Sequence, residues 1–330
     1  MSDPTKIDGV LLTWGDRLFY PGNRVVREPS QPRLSALDAR QRVAAMRERI
    51  AATVIRRAPQ VMVKVTGGGR GMRAIAAHFR YISKYGRLQL EDELGRKVTG
   101  KESLWEMGDD WRYGGTQIPD VGNRRESFNI MLSMPRGTDP LAVQRAARDF
   151  ATAELSDHKY VMVLHDHQAN PHVHLSVRGE SRRGKRLHPC KADLHRWRET
   201  FAEKLREWGI DAEATRQATR GVTRNYSPLW RQKARGDGRE RHPRPENKGG
   251  TRADASRAEA RAAWLRIADA LATSTVESDR KLAAGIARLA CEGHSPERAN
   301  ADGRGTNPSS SLGVLRSDRA GHRVEPGRDR

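Results

Sequence analysis

The chain of 330 residues has little cysteine and no long hydrophobic run, and these two shortages argue against several classes of protein. The two cysteines, Cys190 and Cys291, lie far apart and outside any paired metal-binding motif. This spacing argues against a cysteine-based zinc module and fits a reducing cytoplasm. No apolar segment is long enough to cross a membrane and no secretory signal is visible, so we expect a cytoplasmic protein without membrane insertion.

Acidic residues are also scarce relative to basic ones. The chain has 41 acidic and 61 basic residues, a formal net charge of +20 and a pI near 10.7. This surplus favours a polyanionic partner, with nucleic acid as the first candidate, although a basic protein with solvated charge runs would have the same composition. Hydrophobic residues make up 36% of the chain and the mean hydropathy is −0.80, so we expect part of it to be poorly ordered.

The most informative stretch, Lys159–Gly179, contains four histidines within ten residues. Two β-rich runs flank the turn-forming segment 168–171, which predicts neighbouring strands joined by a tight connection. Because His172 and His174 are two residues apart in a strand, their imidazoles project from the same face, and His165 at the end of the preceding strand can lie beside them. One histidine in a strand is ordinarily solvated or hydrogen-bonded. Three converging imidazoles instead suit a divalent metal with open coordination positions, and zinc, manganese and iron all fit.

A second informative stretch follows an expected strand at 61–65. The glycine-rich segment 66–71 lets the backbone approach a phosphate at a helix N-terminus, but its spacing is not that of a P-loop, so ATP is not implied. In the helix expected from Met72 to about Tyr85, apolar residues recur at helical spacing and Tyr81 lies on the opposite side. Core packing does not explain Tyr81, although exposed tyrosines are common, and His78 shares its polar side.

The other patterns complete a fold class. From about 60 to 210 the expected order is strand, helix, strand, helix, strand, strand, helix, with loops and one short helix in 88–122. This order indicates an α+β fold with a largely antiparallel central sheet, helices packed on it and a helical C-terminal extension. The expected domains are an N-terminal leader and helix (1–59, irregular to about 34), an α+β domain (60–220), a basic flexible linker (221–252), a helical segment (253–292) and a disordered tail (293–330).

A metal on three histidines, a tyrosine on a neighbouring helix and a strong basic charge together suit cleavage of a phosphodiester. The metal would polarise a non-bridging oxygen of the scissile phosphate and stabilise the charge of the transition state. Tyrosine, with a pKa of about 10, is a poor nucleophile until it is deprotonated, but it can form a phosphotyrosine ester. Because that ester replaces the cleaved bond, the free 3′-hydroxyl can later attack it and rejoin the strand.

These residues resemble a known family. His172, Val173 and His174, preceded by Asn170, Pro171 and the more distant His165, are similar to the signature of HUH endonucleases, specifically relaxases that mobilise plasmids. The segment 66–90, TGGGRGMRAIAAHFRYISKYGRLQL, is similar to the nucleophile motif of the branch that includes the agrobacterial T-DNA border nickase. The segment 130–140, IMLSMPRGTDP, is similar to the second motif of that branch. The three motifs occur in order, and the resemblance covers roughly 60–220.

The resemblance implies a function in the bacterial cytoplasm. It implies site- and strand-specific nicking and rejoining of DNA at a plasmid origin of transfer, through a covalent 5′-phosphotyrosyl intermediate on Tyr81, with Mg²⁺ or Mn²⁺ on His165, His172 and His174. Relaxosome accessory proteins and a coupling protein are the implied partners besides DNA. Family members continue into a long C-terminal region, so a chain ending at Arg330 is expected to be a short or truncated relaxase.

Several assignments stay open at this point. Many members of the branch carry an acidic residue two positions after the first histidine, whereas this chain has His167 there with Asp166 beside it, so both remain candidates for the base or for orienting a ligand. Tyr85 is a candidate to assist or replace Tyr81. The candidate DNA contacts are Arg70, Lys84, Lys185 and Arg186. Two other functions remain: a noncatalytic basic DNA-binding protein with a structural metal, and a metal-dependent phosphodiesterase that uses water.

Overall fold

The computed structural model describes residues 4–20, 38–225, 229–239, 242 and 245–292. Six strands form one antiparallel sheet in the order β1-β4-β6-β5-β2-β3. The strands are β1 (Met62–Gly67), β2 (Leu90–Asp92), β3 (Lys97–Val98), β4 (Ser127–Ser133), β5 (His158–His165) and β6 (His172–Ser181). The helices in the described ranges are α1 (Pro4–Phe19), α2 (Ala39–Val54), α3 (Met72–Ile82), α4 (Lys101–Tyr113), α5 (Pro140–Leu155), α6 (Lys191–Glu207), α7 (Leu229–Gly236), α8 (Thr251–Ala272) and α9 (Glu277–Glu292). The predicted α+β class and the helical C-terminal region are confirmed.

The two faces of the sheet carry different helices. Alternate residues of β5 point to opposite sides, so Tyr160 and Met162 pack with α5 and α6, whereas Val161 and Val163 pack with α3 and α4. In β6 the residues Val173, Leu175 and Val177 belong to the α5–α6 side. His172 and His174, which alternate with these residues, therefore face the side on which α3 lies. Strand alternation thus determines which helix meets the histidine cluster.

A separate hydrophobic cluster joins the two ends of the described chain. Helices α1, α2, α8 and α9 bury a shared set of side chains that includes Leu11, Met46, Ile50, Ile267 and Ile286, each fully buried. The described parts of 1–59, residues 4–20 and 38–59, therefore share one core with 253–292, although the sequence suggested separate segments. None of the described helices is both long and apolar enough to span a bilayer.

The irregular leader expected from residue 1 to about 34 is wrong for 4–19, which form α1. The expectation gave weight to Pro21, Pro29 and Pro32, but all three lie beyond the end of this helix. The apolar side chains of α1 are buried largely against α8, far along the chain, so no local pattern pointed to their partner. Residues 21–37 lie outside the described part of the chain.

Arg49 of α2 connects this helical cluster to the α+β core. Its guanidinium lies 2.5 Å from Glu199 of α6 and 3.3 Å from Glu213, and its side chain is only 9% exposed. Burial opposes its charge, but the two carboxylates outweigh burial, so the pKa of Arg49 is raised. The central carbon of the same guanidinium, Cζ, lies over the rings of Phe19 and Tyr20, at 4.7 and 4.8 Å from their centroids.

Two further expectations differ from the structure. Residues 88–122 contain the hairpin of β2 and β3 where we expected only loops around a short helix, because these strands of three and two residues depend on pairing of β2 with β5. The segment 221–252, expected to be a flexible linker, contains α7 and a bridge between Arg224 and Asn247. The tail expected at 293–330 lies outside the described residues.

Candidate active site

The three histidines meet at the turn end of the β5–β6 hairpin. His165 pairs directly with His172 across the two strands, and His174 follows one position further on the same face. The ring centroids of the three pairs lie 4.7 to 5.0 Å apart, and one ring nitrogen from each residue lies within 4.8 Å of the others. His165 and His172 are buried and His174 is half-buried. The convergence predicted from the strand spacing is therefore present.

Backbone carbonyls set the protonation of two of these rings. His165 donates from Nε2 to the Ile82 carbonyl oxygen at 2.7 Å, and His172 donates from Nδ1 to the Asn170 carbonyl oxygen at 2.9 Å. The opposite nitrogen of each ring keeps its lone pair. The Ile82 carbonyl lies at the C-terminus of α3, where helix carbonyls lack partners within the helix. The end of α3 thus orients a histidine of the cluster.

Burial keeps the cluster neutral. Desolvation lowers the pKa of His165 and His172, and it lowers the pKa of His174 to about 3, with the neighbouring rings adding to the effect. Nδ1 of His174 is buried without a hydrogen-bond partner among the described residues. Neutral imidazoles with free lone pairs are the form that binds a divalent metal. The donor set fits a metal ion, and these three residues could hold it.

Tyr81 lies beside this cluster, with His78 between them. Its side chain is 69% exposed, as its helical position predicts. Its ring is stacked on that of His78, with ring centroids 6.2 Å apart and an angle of 29° between the ring planes. The ring of His78 lies in turn 6.5 Å from that of His174. The folded chain therefore brings the candidate nucleophile and the histidines to the same end of the sheet.

His78 is a site residue that sequence reasoning did not select. Its Nε2 is buried without a hydrogen-bond partner among the described residues, and desolvation lowers its pKa to about 4. Because residues three apart on a helix share a face, its spacing from Tyr81 was the available signal. The helical pattern predicts His78 on the polar side of α3, but it indicates no role for the ring there.

Tyr85 does not continue the face of α3 that carries Tyr81. The helix ends at Ile82, and Lys84 and Tyr85 adopt left-handed backbone angles, with φ of 50° and 61°. The expected helix to about Tyr85 is therefore too long. Tyr85 is 68% exposed and lies in a groove between α3 and α4, away from the face that carries Tyr81.

The glycine-rich segment before α3 packs closely against the start of β4 and the chain before it. A side chain at Gly68 would meet the Ser127 carbonyl oxygen at 2.1 Å, and one at Gly71, whose φ is +141°, would meet the Asp120 carbonyl oxygen at 2.5 Å. The amide of Gly69 donates to Ser127 Oγ at 2.9 Å. Close backbone approach therefore accounts for these glycines.

The other candidate residues differ in their surroundings. Asp166 and His167 are exposed beside the cluster, and the ring of His167 lies 5.1 Å from that of His165. Arg186 pairs with Glu126 at 3.4 Å and Glu180 at 3.5 Å, so its charge is engaged within the protein. The exposed cations among the candidate DNA contacts are Arg70, Lys84 and Lys185.

Comparison with known proteins shows similarity to nucleases that act on DNA. Residues 90–210 match the family model for the nuclease domain of MobA/VirD2-like relaxases, a range that contains the three clustered histidines and begins after Tyr81. The chain is 24% identical over 184 residues to the T-DNA border endonuclease VirD2 of Rhizobium radiobacter, a match covering 49% of this chain and 43% of that relative. The chain thus spans less than half of that relative's length. It contains a MobA/VirD2-like relaxase nuclease domain and is related to the agrobacterial branch of that family.

Proposed function

We propose that the protein nicks and rejoins one DNA strand at a plasmid origin of transfer, with Tyr81 as the nucleophile. The observation that carries this proposal is the exposed phenol of Tyr81 next to a neutral three-histidine cluster, in a chain with a net charge of +20. The proposed metal ligands are His165, His172 and His174, and Mg²⁺ or Mn²⁺ is the proposed ion. The polyanionic substrate matches the basic surplus.

In the proposed nicking reaction, each step uses residues of this chain. The phenolic oxygen of Tyr81 loses its proton and attacks the scissile phosphorus. The bond to the 3′-oxygen breaks and that oxygen takes up a proton, which leaves a free 3′-hydroxyl and a 5′-phosphotyrosyl ester. When bound, a divalent metal supplies Lewis-acid stabilisation of the phosphate charge. His165 and His172 are held by backbone carbonyls, so the ligands need little reorganisation. Asp166 and His167 are candidates to accept the phenolic proton.

The reverse step follows from the same arrangement. The 3′-hydroxyl attacks the phosphotyrosyl ester, Tyr81 leaves, and the proton returns to the phenol. Because one phosphodiester-type bond replaces another in each direction, no external energy source is needed. This reversibility distinguishes a strand transferase from a phosphodiesterase that activates water.

The wider setting is proposed on the same grounds. Residues 60–220 form the proposed relaxase domain, acting in the bacterial cytoplasm with relaxosome accessory proteins and a coupling protein. The basic segment 221–252 would add salt-dependent affinity for DNA that does not depend on sequence. Arg70, Lys84 and Lys185 are exposed and suited to phosphate contacts, whereas Arg186 would first have to leave its partners.

A gel assay tests the nucleophile. A labelled single strand containing the origin region of the plasmid that encodes the protein is incubated with Mn²⁺ or with EDTA, and adducts that survive SDS are counted. Tyr81→Phe should abolish the metal-dependent adduct but retain binding. Tyr85→Phe, which removes a phenol of almost equal exposure four residues away, should retain the adduct.

Each other outcome identifies a different function. Cleavage without an adduct would favour a phosphodiesterase that uses water. Binding to the origin without cleavage would favour a noncatalytic DNA-binding protein with a structural metal. An adduct that persists in Tyr81→Phe would move the nucleophile to another residue.

A further inference from the structure

A groove of about 670 Å³ runs between α3 and α4. Apolar side chains, among them Met72 and Leu104, lie along it, and both are buried. Trp105 and Tyr85 also line it, and they are 70% and 68% exposed. The groove thus combines an apolar floor with aromatic rings that are open to solvent.

Among the described residues, Trp105 has no packing partner in the core that would explain its position. Helix α4 packs onto the core through Leu104, Met107 and Trp111, and Trp111 is 1% exposed. Trp105 lies on the same helix but outside this cluster. A large exposed indole at the edge of a concave surface is typical of a ligand-binding position.

The charge of the groove favours an anion. Arg73, Arg80 and Lys101 are exposed along it. The groove also contains two carboxylates, of which Asp120 pairs with the fourth cation, Arg112, at 2.6 Å. Four cations against two carboxylates leave a positive excess. Proteins bind single-stranded nucleic acid with this combination of cations and exposed aromatic rings.

The groove also has a defined place relative to the candidate active site. At about 100° per residue, Arg73 and Arg80 lie on the flank of α3 that faces α4, and His78 lies on the flank that faces the histidine cluster. Tyr81 is next to Arg80 in the chain and lies between the two flanks on the exposed side of the helix. A strand whose phosphate reaches Tyr81 can therefore cross α3 and continue into the groove.

We infer that this groove is a second binding site for the same DNA strand, in which a nucleobase stacks on the indole of Trp105 and phosphates contact Arg73 and Arg80. The inference rests on the proposed function, because it takes single-stranded DNA as the ligand. It adds a subsite that is separate from the histidine cluster. This subsite holds the strand a few nucleotides away from the scissile phosphate.

Binding to a fluorescent oligothymidylate, measured by anisotropy with the full chain, tests the stacking. Loss of one stacked base weakens binding by about 5- to 150-fold, so Trp105→Ala should fall in that range and Trp105→Phe should recover most of the affinity. Tyr113→Ala is the matched control, because Tyr113 is a 66% exposed aromatic residue on α4 that does not line the groove. It should bind like the unaltered protein.

Salt dependence tests the phosphate contacts. Removing one phosphate contact lowers the slope of log affinity against log salt by about 0.7, so Arg73→Ala and Arg80→Ala should each show that change. Arg40→Ala, which removes an exposed arginine of α2, should leave the slope unchanged.

Photo-crosslinking locates the base independently of any variant. An oligothymidylate with 5-iododeoxyuridine is irradiated with the unaltered protein, and the cross-link should map to the tryptic peptide 102–112. That peptide contains Trp105 and the buried Trp111, so loss of the cross-link in Trp105→Ala assigns it to Trp105. Absence of a cross-link to this peptide, or equal affinity of Trp105→Ala and Tyr113→Ala, would overturn the inference and would leave a protein partner for the groove.

The two proposals can fail separately. If no origin strand gives an adduct but Trp105→Ala still weakens binding, the subsite stands and the nicking proposal falls. If the adduct forms and Trp105→Ala binds normally, nicking stands and the subsite falls.

Discussion

Acidification should destabilise the fold through the histidines beside Tyr81. Burial lowers the pKa of His78 to about 4 and that of His174 to about 3, whereas an unfolded histidine has a pKa of about 6.5. Between these values the unfolded chain binds more protons than the folded chain. The free energy of unfolding must therefore fall as the pH falls below about 6.5, and the stabilisation is fully present above it.

The magnitude follows from the same pKa values. Lowering the pH from about 6.5 to about 5.5 protonates most of the unfolded histidine and almost none of either folded one. Each of the two residues then contributes a loss of about 1 kcal/mol, or about 2 kcal/mol together. Burial also lowers the pKa of His158, His165, His172 and His195, so the whole protein should lose more than this pair alone.

Urea unfolding at the two pH values, with a chelator present, measures this loss. The double variant His78→Gln and His174→Gln should lose about 2 kcal/mol less than the unaltered protein between the same pH values. The reasoning is refuted if the double variant retains the full pH dependence, because its histidines would then not be the source.

Two further predictions concern the core and the metal. Arg49→Met should destabilise the protein by roughly 3–5 kcal/mol in urea unfolding, because it leaves Glu199 and Glu213 buried without their cation. Arg56→Met, which removes an arginine just beyond the end of α2 from two carboxylates at an exposed site, should cost under about 1 kcal/mol, and equal losses would contradict the argument. His172→Ala should weaken Mn²⁺ binding at least roughly 10-fold by calorimetry, whereas His167→Ala should bind normally; equal affinities would remove His172 from the proposed ligands.

The central part of the fold could be predicted because its signals are local. The turn at 168–171 and the alternating residues around it fix the β5–β6 hairpin, and Asp139 with Pro140 marks the start of α5, where the Asp139 side chain accepts from two amides as expected of an N-cap. Helix α1 and strands β2 and β3 were missed because their stability comes from contacts with distant segments. Such contacts leave little trace in the neighbouring sequence.

In the candidate site, too, some features follow from local sequence patterns and others depend on contacts between distant segments. The convergence of His172 and His174 follows from the two-residue period of a strand, and Tyr81 could be recognised because it lies off the apolar stripe of α3. The position of His78 between Tyr81 and His174 depends on how α3 packs across the sheet. The hydrogen bond from His165 to Ile82 depends on where α3 ends, which the sequence placed several residues too late.

Mapping the DNA-linked peptide tests the central claim most directly. Trypsin cuts after Arg80, Lys84 and Arg87, so it separates Tyr81 and Tyr85 into the peptides 81–84 and 85–87. The metal-dependent adduct is digested with nuclease and trypsin, and the peptide that retains a nucleotide is sequenced by mass spectrometry. We predict the nucleotide on Tyr81 in peptide 81–84. A nucleotide on peptide 85–87, or metal-dependent cleavage with no nucleotide on any peptide, would contradict the account.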